Sequence, residues 1–271
     1  MNAMKLSPVL TRRGFLGAGA LGAGMLFAGA MPVLGRMPVS AAPTAGGPGT
    51  TTRYPLYVPA ALTTAALTAA AATVSFGPAL SSVLAYNNSL PGPTVRARRG
   101  DAVSIAFTNR LTEPTTIHWH GMVVPTPADG HPKDAVALGG GYTYAFPIEQ
   151  RACLNWYHPH PHMLTAKQVA FGLAGAFIVN DAEEDALGLP SGSRELPLVI
   201  RDADFDRTGT LLYKPTSTGY EGKVPLVNGT REPYVNVQTA VYRLRVLNGA
   251  NARTIVAAIS PPGIAGADPS V

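Results

Sequence analysis

The fold class is indicated most clearly by residues 94–109, which read TVRARRGDAVSIAFTN. Val103, Ile105 and Phe107 alternate with small or polar residues, and this period of two is typical of a strand with one buried face. Arg99-Gly100-Asp101 interrupts the alternation and favours a turn. The stretch is therefore predicted to hold two short strands joined by a tight connection.

The same kind of pattern extends along the rest of the chain. Glycine and proline together make up about a fifth of the 271 residues, which favours short strands and tight turns over long helices. An apolar run over 176–179 closes one unit, a polar stretch over 182–193 marks a boundary, and another apolar run over 195–200 begins a second unit. We predict an all-β chain with one complete β-sandwich or barrel and a second unit of few strands.

The N-terminal segment is interpreted as a removable export signal. Thr11-Arg12-Arg13-Gly14-Phe15-Leu16 is a twin-arginine pattern, an apolar stretch follows over 17–31, and Val39-Ser40-Ala41 offers small residues for cleavage. The apolar stretch is shorter than the roughly 20 residues that a membrane span needs. We therefore expect a periplasmic or extracellular protein with no stable membrane anchor.

The charge and the cysteine count exclude several classes of function. Four basic and no acidic residues lie within 1–50, so loss of that segment lowers the net charge from +5 to about +1. A nearly neutral protein offers no electrostatic footprint for nucleic acid. The single cysteine excludes an internal disulfide and any metal site built from several cysteines.

Two tight histidine clusters carry the predicted chemistry. His118 and His120 flank Trp119, and on a strand they would share one face, roughly 6–7 Å apart, while Trp119 faces the core. The second cluster, His158-Pro159-His160-Pro161-His162, has prolines that hold its backbone extended and so order the imidazoles before an ion binds. These clusters predict a metal site, and imidazole suits copper, zinc, iron or nickel, so the ligands alone do not select the ion.

Other types of histidine site fit the sequence less well. A zinc hydrolase would place an acidic ligand or base beside its histidine pair, and none follows His120 or His162 closely. A cupin site would place a glutamate a few residues after its His-x-His motif, and residues 122–127 contain none. His131 stands alone in a loop and is interpreted as an ordinary hydrogen-bonded residue.

Several motifs together resemble the N-terminal cupredoxin domain of multicopper oxidases of the bacterial laccase-like, cuprous-oxidase and spore-coat type. The likeness extends from about Val74 to Thr254 and implies a cupredoxin-like Greek-key β-sandwich followed by an incomplete second one. The motifs that carry it are His118-Trp119-His120-Gly121, Trp156-Tyr157-His158-Pro159-His160, Leu90-Pro91-Gly92-Pro93-Thr94, Leu226-Val227-Asn228-Gly229 and Arg243-Leu244-Arg245-Val246-Leu247-Asn248-Gly249.

The resemblance also implies a copper ligand set. His118 would bind the type 2 copper, whereas His120, His158 and His160 would bind the type 3 pair. The intact family member removes single electrons from a small reducing substrate, such as a phenol, a pigment or a metal ion, and passes them to oxygen to give water.

Two further residues, Asp129 and His162, match family positions near the copper ligands. Asp129 matches the family's carboxylate that helps to deliver protons to reduced oxygen, and it also suits a turn before Gly130; both readings stay open from the sequence. His162 matches a position that is often not a ligand.

The sequence also departs from the family pattern. The family takes four more histidines and a type 1 copper motif, His-Cys-His with a methionine, from a later domain. No histidine follows His162, and Cys153 has no histidine neighbour, so it is interpreted as a buried strand thiol. We therefore hypothesise a truncated or frame-shifted chain that binds copper weakly and has no laccase turnover by itself. The alternatives are a non-catalytic copper-binding or scaffold protein of the same fold, or an inactive gene fragment.

The predicted domain organisation follows from these observations. Residues 60–72 are alanine-rich without an amphipathic face, and we expect them to form an ordered arm or a short helix. The predicted units are the export signal over 1–41, the linker and arm over 42–72, the cupredoxin domain over 73–182 and the incomplete second domain over 193–271.

Overall fold

A computed structural model describes residues 4–6, 54–62, 65–76 and 80–259. Strands dominate these residues, and the two α-helices are short. The twin-arginine motif, the cleavage segment and residues 260–271 lie outside the described residues. Within the described residues, no helix has the length and apolar character needed to cross a membrane.

The strands and helices of the described residues have the following bounds, in chain order: β1 (Met4–Leu6), β2 (Tyr54–Pro55), β3 (Ala61–Leu62), β4 (Ala65–Ser75), β5 (Leu80–Tyr86), β6 (Gly92–Arg98), β7 (Ala102–Asn109), β8 (His118–His120), β9 (Gly141–Pro147), β10 (Cys153–His158), α1 (Thr165–Phe171), β11 (Gly175–Asn180), α2 (Ala182–Ala186), β12 (Glu195–Phe205), β13 (Leu211–Leu212), β14 (Val224–Val227), β15 (Thr230–Arg231), β16 (Pro233–Tyr234), β17 (Arg243–Asn248) and β18 (Ile255–Ala257). Three single 3-10 turns lie at Thr126–Ala128, Pro132–Asp134 and Gly192–Arg194.

Two sheets form the first unit. One has the strand order β3-β6-β11-β10-β8 and the other has the order β5-β4-β7-β9. Three pairs are parallel, β3 with β6, β6 with β11 and β4 with β7, whereas the other pairs in the two sheets are antiparallel. Large apolar side chains from both sheets meet in one core, which includes Leu67, Ile105, Phe107, Trp119 and Phe177. The unit is the predicted cupredoxin-like β-sandwich, and burial of this apolar surface supplies its main stabilisation.

The prediction of an arm or short helix over residues 60–72 is wrong. Residues 65–75 form β4, which pairs with β5 on one side and with β7 on the other. Leu67 and Ala69 are fully buried, and their neighbours Thr68 and Ala70 are less buried, so the segment has the alternation of a strand. Alanine favours a helix in isolation, but the two ladders satisfy its backbone groups and override this propensity.

The second unit is built around the long strand β12. It pairs with β13 and β14 in antiparallel and with β17 in parallel. α2 lies in the predicted boundary between the units, with the Asp181 side chain accepting a hydrogen bond from the Glu184 N–H at its start. A smaller apolar cluster joins the two units, since Phe76 and Leu90 of the first pack with Ala203 and Leu226 of the second.

Candidate metal centre

The site is built on β8 and β10, which are antiparallel neighbours at one edge of the first sheet. Their register places His118 opposite His158 and His120 opposite Trp156. Trp119 is fully buried and packs against the rings of Tyr144, Phe146, Tyr157 and Phe177. Because side chains alternate along a strand, this anchoring turns the histidines on either side of Trp119 away from the core.

Three imidazoles converge closely enough to share an ion. His118, His120 and His158 each offer one ring nitrogen, and these three atoms all lie within 4.8 Å of one another. His120 Nδ1 is 3.0 Å from His158 Nε2. The ring of His160 lies beside this group, with its centroid 5.2 Å from that of His118 and 6.3 Å from that of His158. All four predicted ligand residues therefore lie in one cluster.

Backbone carbonyls determine which ring nitrogen of His118 and of His158 carries the hydrogen and which carries the lone pair. His118 Nδ1 lies 2.8 Å from the carbonyl oxygen of Asp129, and His158 Nδ1 lies 2.8 Å from that of Pro159. A carbonyl oxygen only accepts, so each Nδ1 carries the hydrogen and donates it. The lone pair of each ring is then on Nε2, and the bond to the carbonyl fixes the orientation in which Nε2 would bind a metal. The Nε2 of His158 lies 3.0 Å from His120 Nδ1.

The charge state of the cluster also suits metal binding. Burial lowers the pKa of His158, and although its bond to Pro159 raises it, the neighbouring rings lower it further, to about 4. Burial, followed by the charges of His118 and His160, lowers the pKa of His120. These two imidazoles are neutral at pH 7, so their lone pairs are available without displacing a proton.

Asp129 reaches the cluster from a loop. Its carboxylate oxygen Oδ1 lies 3.2 Å from His118 Nδ1, and its side chain is 39% exposed. Gly130, at φ +69°, follows it and lies directly against the backbone of Ile117, where a Cβ atom would approach the carbonyl oxygen to 1.9 Å. The turn role and the contact with His118 are therefore both present in the structure.

The proline-rich segment is held by residues that the sequence did not single out. The His160 N–H donates to Thr116 Oγ1 over 2.8 Å, and Thr116 is fully buried. The neighbouring Thr115 hydroxyl donates to Gln168 Oε1 over 2.8 Å, and the Gln168 amide donates to the Pro114 carbonyl over 2.9 Å. The position of Thr115 and Thr116 shortly before β8 is the local sequence feature of these contacts.

The remaining two histidines lie apart from the three-nitrogen group. His131 is exposed, and its Nδ1 accepts the Lys133 N–H at the start of a 3-10 turn, which agrees with the predicted loop role. His162 is exposed, and Met163 after it has a positive φ of 61°. The left-handed backbone at Met163 is a conformation that glycine adopts more easily.

Comparisons with known proteins agree with this geometry. Residues 68–184 match the family model described as multicopper oxidase. The McoA multicopper oxidase of Aquifex aeolicus has a solved structure that superposes with a TM-score of 0.69 at 37% identity, over 74% of this chain and 47% of that one. Residues 68–184 of this chain form a domain of the multicopper oxidase family. Copper is thus the metal that the family implies for the histidine cluster.

Curated relatives match a similar share of the chain. The multicopper oxidase mco of Staphylococcus aureus is 39% identical over 177 residues, which are 65% of this chain and 39% of that protein. The cell division protein FtsP of Escherichia coli is 38% identical over 175 residues, 64% of this chain and 37% of that protein. The matched part of the chain therefore spans less than half the length of these curated relatives.

Proposed function

We propose that this chain supplies copper ligands to an oxidase that transfers single electrons from a small reducing substrate to oxygen. The convergence of three imidazole nitrogens within 4.8 Å carries this proposal. Neutral nitrogen donors suit copper, and the hydrogens on His118 Nδ1 and His158 Nδ1 place the lone pairs of these rings on Nε2. A phenol, a pigment or a metal ion would serve as the substrate.

The ligand roles follow the order that the family resemblance implies. His118 is assigned to the type 2 copper, and His120, His158 and His160 are assigned to the type 3 pair. Two observations support the grouping: His118 is the ring in contact with Asp129, and His120 and His158 are in direct contact with each other. Copper, when bound, would supply the one-electron redox steps of the reaction.

Asp129 is proposed to handle protons for the reduction of oxygen. Its carboxylate lies beside His118 Nδ1, and its partial exposure lets it exchange protons with solvent. A carboxylate between bulk water and a ligand ring can hold a proton at Oδ1 and orient the ring at the same time. The reduction of oxygen to water consumes four protons, so a solvent-linked acid near the ligands has a direct use.

The proposed setting is outside the cytoplasm, reached by the twin-arginine route.

Four of the eight trinuclear-site histidines that the family resemblance implies are present in residues 1–271. The purified chain by itself is therefore expected to bind copper weakly, without oxidising phenols or Cu(I) with oxygen consumption.

A copper titration with matched variants tests the histidine site. Cu(II) binding is measured by competition with a chromophoric chelator for the wild type, His118→Ala, His158→Ala and His131→Ala. The first two variants should lose most of the affinity, whereas His131→Ala should match the wild type because His131 lies in an exposed loop. Equal affinity in all four proteins would contradict the proposal. Thermal stability unchanged by copper would instead favour the scaffold function.

A further inference from the structure

A pair of sulfur atoms lies near the start of β10, the end of the strand away from His158. Asn155 Nδ2 is 3.1 Å from the thioether sulfur of Met122 and 2.9 Å from the thiol sulfur of Cys153. The two sulfurs are thus at most about 6 Å apart, since one nitrogen is close to both. Gln150 Nε2 approaches the same atoms, at 2.8 Å from Met122 Sδ and 3.8 Å from Cys153 Sγ.

The local backbone brings these sulfurs together. Gly121 follows β8 with a φ of +83°, and the Met122 N–H bonds to the Trp119 carbonyl over 3.0 Å, so the chain turns sharply after His120. Because of this turn, Met122 lies against β10, and the chain does not continue along the sheet edge. Cys153 and Met122 are both partly buried against the core and partly open, so an ion could reach them from solvent.

The polar surroundings of the pair are unusual for simple packing. Asn155 is 91% buried, and both acceptors of its side-chain nitrogen within the described residues are sulfur atoms. Neutral sulfur is a weak acceptor, so a buried carboxamide gains little from these bonds. A cysteine thiolate is a much stronger, charge-assisted acceptor, and outer hydrogen bonds of this kind are typical of metal-bound ligands.

We propose that Met122 and Cys153 form a second metal site, one that takes Cu(I). A thiolate and a thioether are soft ligands, and this combination selects Cu(I) over Zn(II) and over harder ions. On binding, the Cys153 thiol releases its proton to solvent and a copper–sulfur bond forms, while the ion stays Cu(I). Asn155 and Gln150 then donate to the sulfurs and hold the ligands in place.

Anaerobic Cu(I) titration tests the site without relying on the histidines. The background is the His118→Ala/His120→Ala/His158→Ala variant, and Cu(I) is competed against a chromophoric chelator. Loss of a hydrogen-bond partner around a metal site costs roughly 10-fold or more in affinity, and loss of a ligand should cost at least as much. Cys153→Ser and Met122→Leu should therefore each weaken binding at least about tenfold, whereas Met163→Leu, which alters an 85% exposed methionine, should not.

A second measurement keeps the test decisive if a variant fails to fold. In the wild-type protein, bound Cu(I) should slow alkylation of Cys153 by iodoacetamide, and X-ray absorption of the copper-loaded histidine variant should show sulfur neighbours. Alkylation at the same rate with and without Cu(I), or a first shell without sulfur, would overturn the proposal. These readouts are independent of the Cu(II) titration, so failure of either copper site is recognised separately.

Discussion

Two groups of Asp129 contact His118 at the same ring nitrogen, Nδ1, and this leaves Nε2 of His118 usable as a metal ligand. Nδ1 donates to the Asp129 carbonyl, and the Asp129 carboxylate lies 3.2 Å from the same nitrogen. The carbonyl and the carboxylate of Asp129 therefore both help to orient the His118 ring. Removal of the carboxylate alone leaves the carbonyl bond, so the ring should lose part of its support without losing its place.

Replacement of Asp129 tests that division of roles. Asp129→Ala should lower Cu(II) affinity by about 10-fold, at the low end of the range for residues that support metal ligands, because the backbone bond remains. Asp129→Asn keeps an oxygen acceptor and should lose less. Asp134→Asn, on the following 3-10 turn, is the control and should bind copper like the wild type. A loss as large for Asp134→Asn as for Asp129→Ala would show that the loop, not the carboxylate, is responsible.

Thr116 supports the site through the backbone of His160 and gives a second prediction at the residue scale. Thr116→Val leaves the partly buried His160 N–H without its acceptor, which should cost about 1 kcal/mol in unfolding free energy and weaken copper binding. Thr116→Ser keeps the hydroxyl and should restore both. Urea unfolding and the Cu(II) titration measure the two effects, and a Val variant as stable as the Ser variant would contradict this role.

The sequence predicts the orientation of the histidines on β8, but it does not predict the bond that Thr116 makes. The spacing of His118, Trp119 and His120 already separates two outward imidazoles from one inward indole, because a strand has a period of two. The link between Thr116 and His160 joins residues 44 positions apart. Such a bond depends on how the segments cross in space, and nothing local in the sequence encodes it.

At the scale of elements, the loop after β8 is seated by one glycine. Gly130 has a positive φ of 69° and its position leaves no space for a side chain, whereas Gly139, at φ 74°, has no atom within 4 Å of where a Cβ would be. A side chain at Gly139 would meet only the unfavourable positive φ, whereas one at Gly130 would also clash with the Ile117 backbone. The loop carries Asp129, so displacement of Gly130 would also move the residue that holds His118.

Alanine substitutions at both glycines measure the difference. Gly139→Ala should cost about 1 kcal/mol, since only the left-handed backbone opposes it. Gly130→Ala should cost clearly more in urea unfolding and should also weaken copper binding, because the loop must leave the Ile117 carbonyl. Equal losses of stability in the two variants would show that the contact with Ile117 does not seat the loop.

The sequence predicts strands correctly where buried residues recur at every second position. The prediction fails where the helix propensity of alanine opposes the strand that the folded chain forms. The alternation of Val103, Ile105 and Phe107 is visible in the sequence and becomes β7. β4 is hidden because alanine is small and apolar on both faces, so its alternation of burial leaves little trace in composition. Pairing with β5 and β7, which only the folded chain provides, makes it a strand.

At the scale of the whole molecule, a buried ionic network joins the two units. Glu195 of β12 accepts from Arg96 of β6 and from Arg245 of β17, both over 2.6 Å, and Arg245 also contacts Glu184 of α2 over 2.9 Å. Burial raises the pKa of Glu195, but hydrogen bonds from Arg245 and Arg96 outweigh it and lower the pKa below its ordinary value of 4.5. The network therefore stabilises the fold with Glu195 ionised.

The direction of the pKa shift of Glu195 determines how the stability of the protein should depend on pH. A lowered pKa in the folded state contributes stability above the unfolded value near 4.5, and that contribution is lost as the pH falls through the folded pKa. Glu195→Gln should be less stable than the wild type at pH 7 by roughly 3 kcal/mol, since Arg96 loses its carboxylate partner and Arg245 keeps only Glu184. The difference in stability should narrow below pH 4.5.

An exposed ion pair supplies the control for this comparison. Asp185→Asn breaks the contact between Asp185 and Arg98, whose side chains are more than half exposed, and should change stability much less than Glu195→Gln does at pH 7. Urea unfolding of the three proteins between pH 3 and pH 7 measures both effects. A difference in stability between the wild type and Glu195→Gln that stays constant over this range would mean that ionisation of Glu195 does not hold the units together.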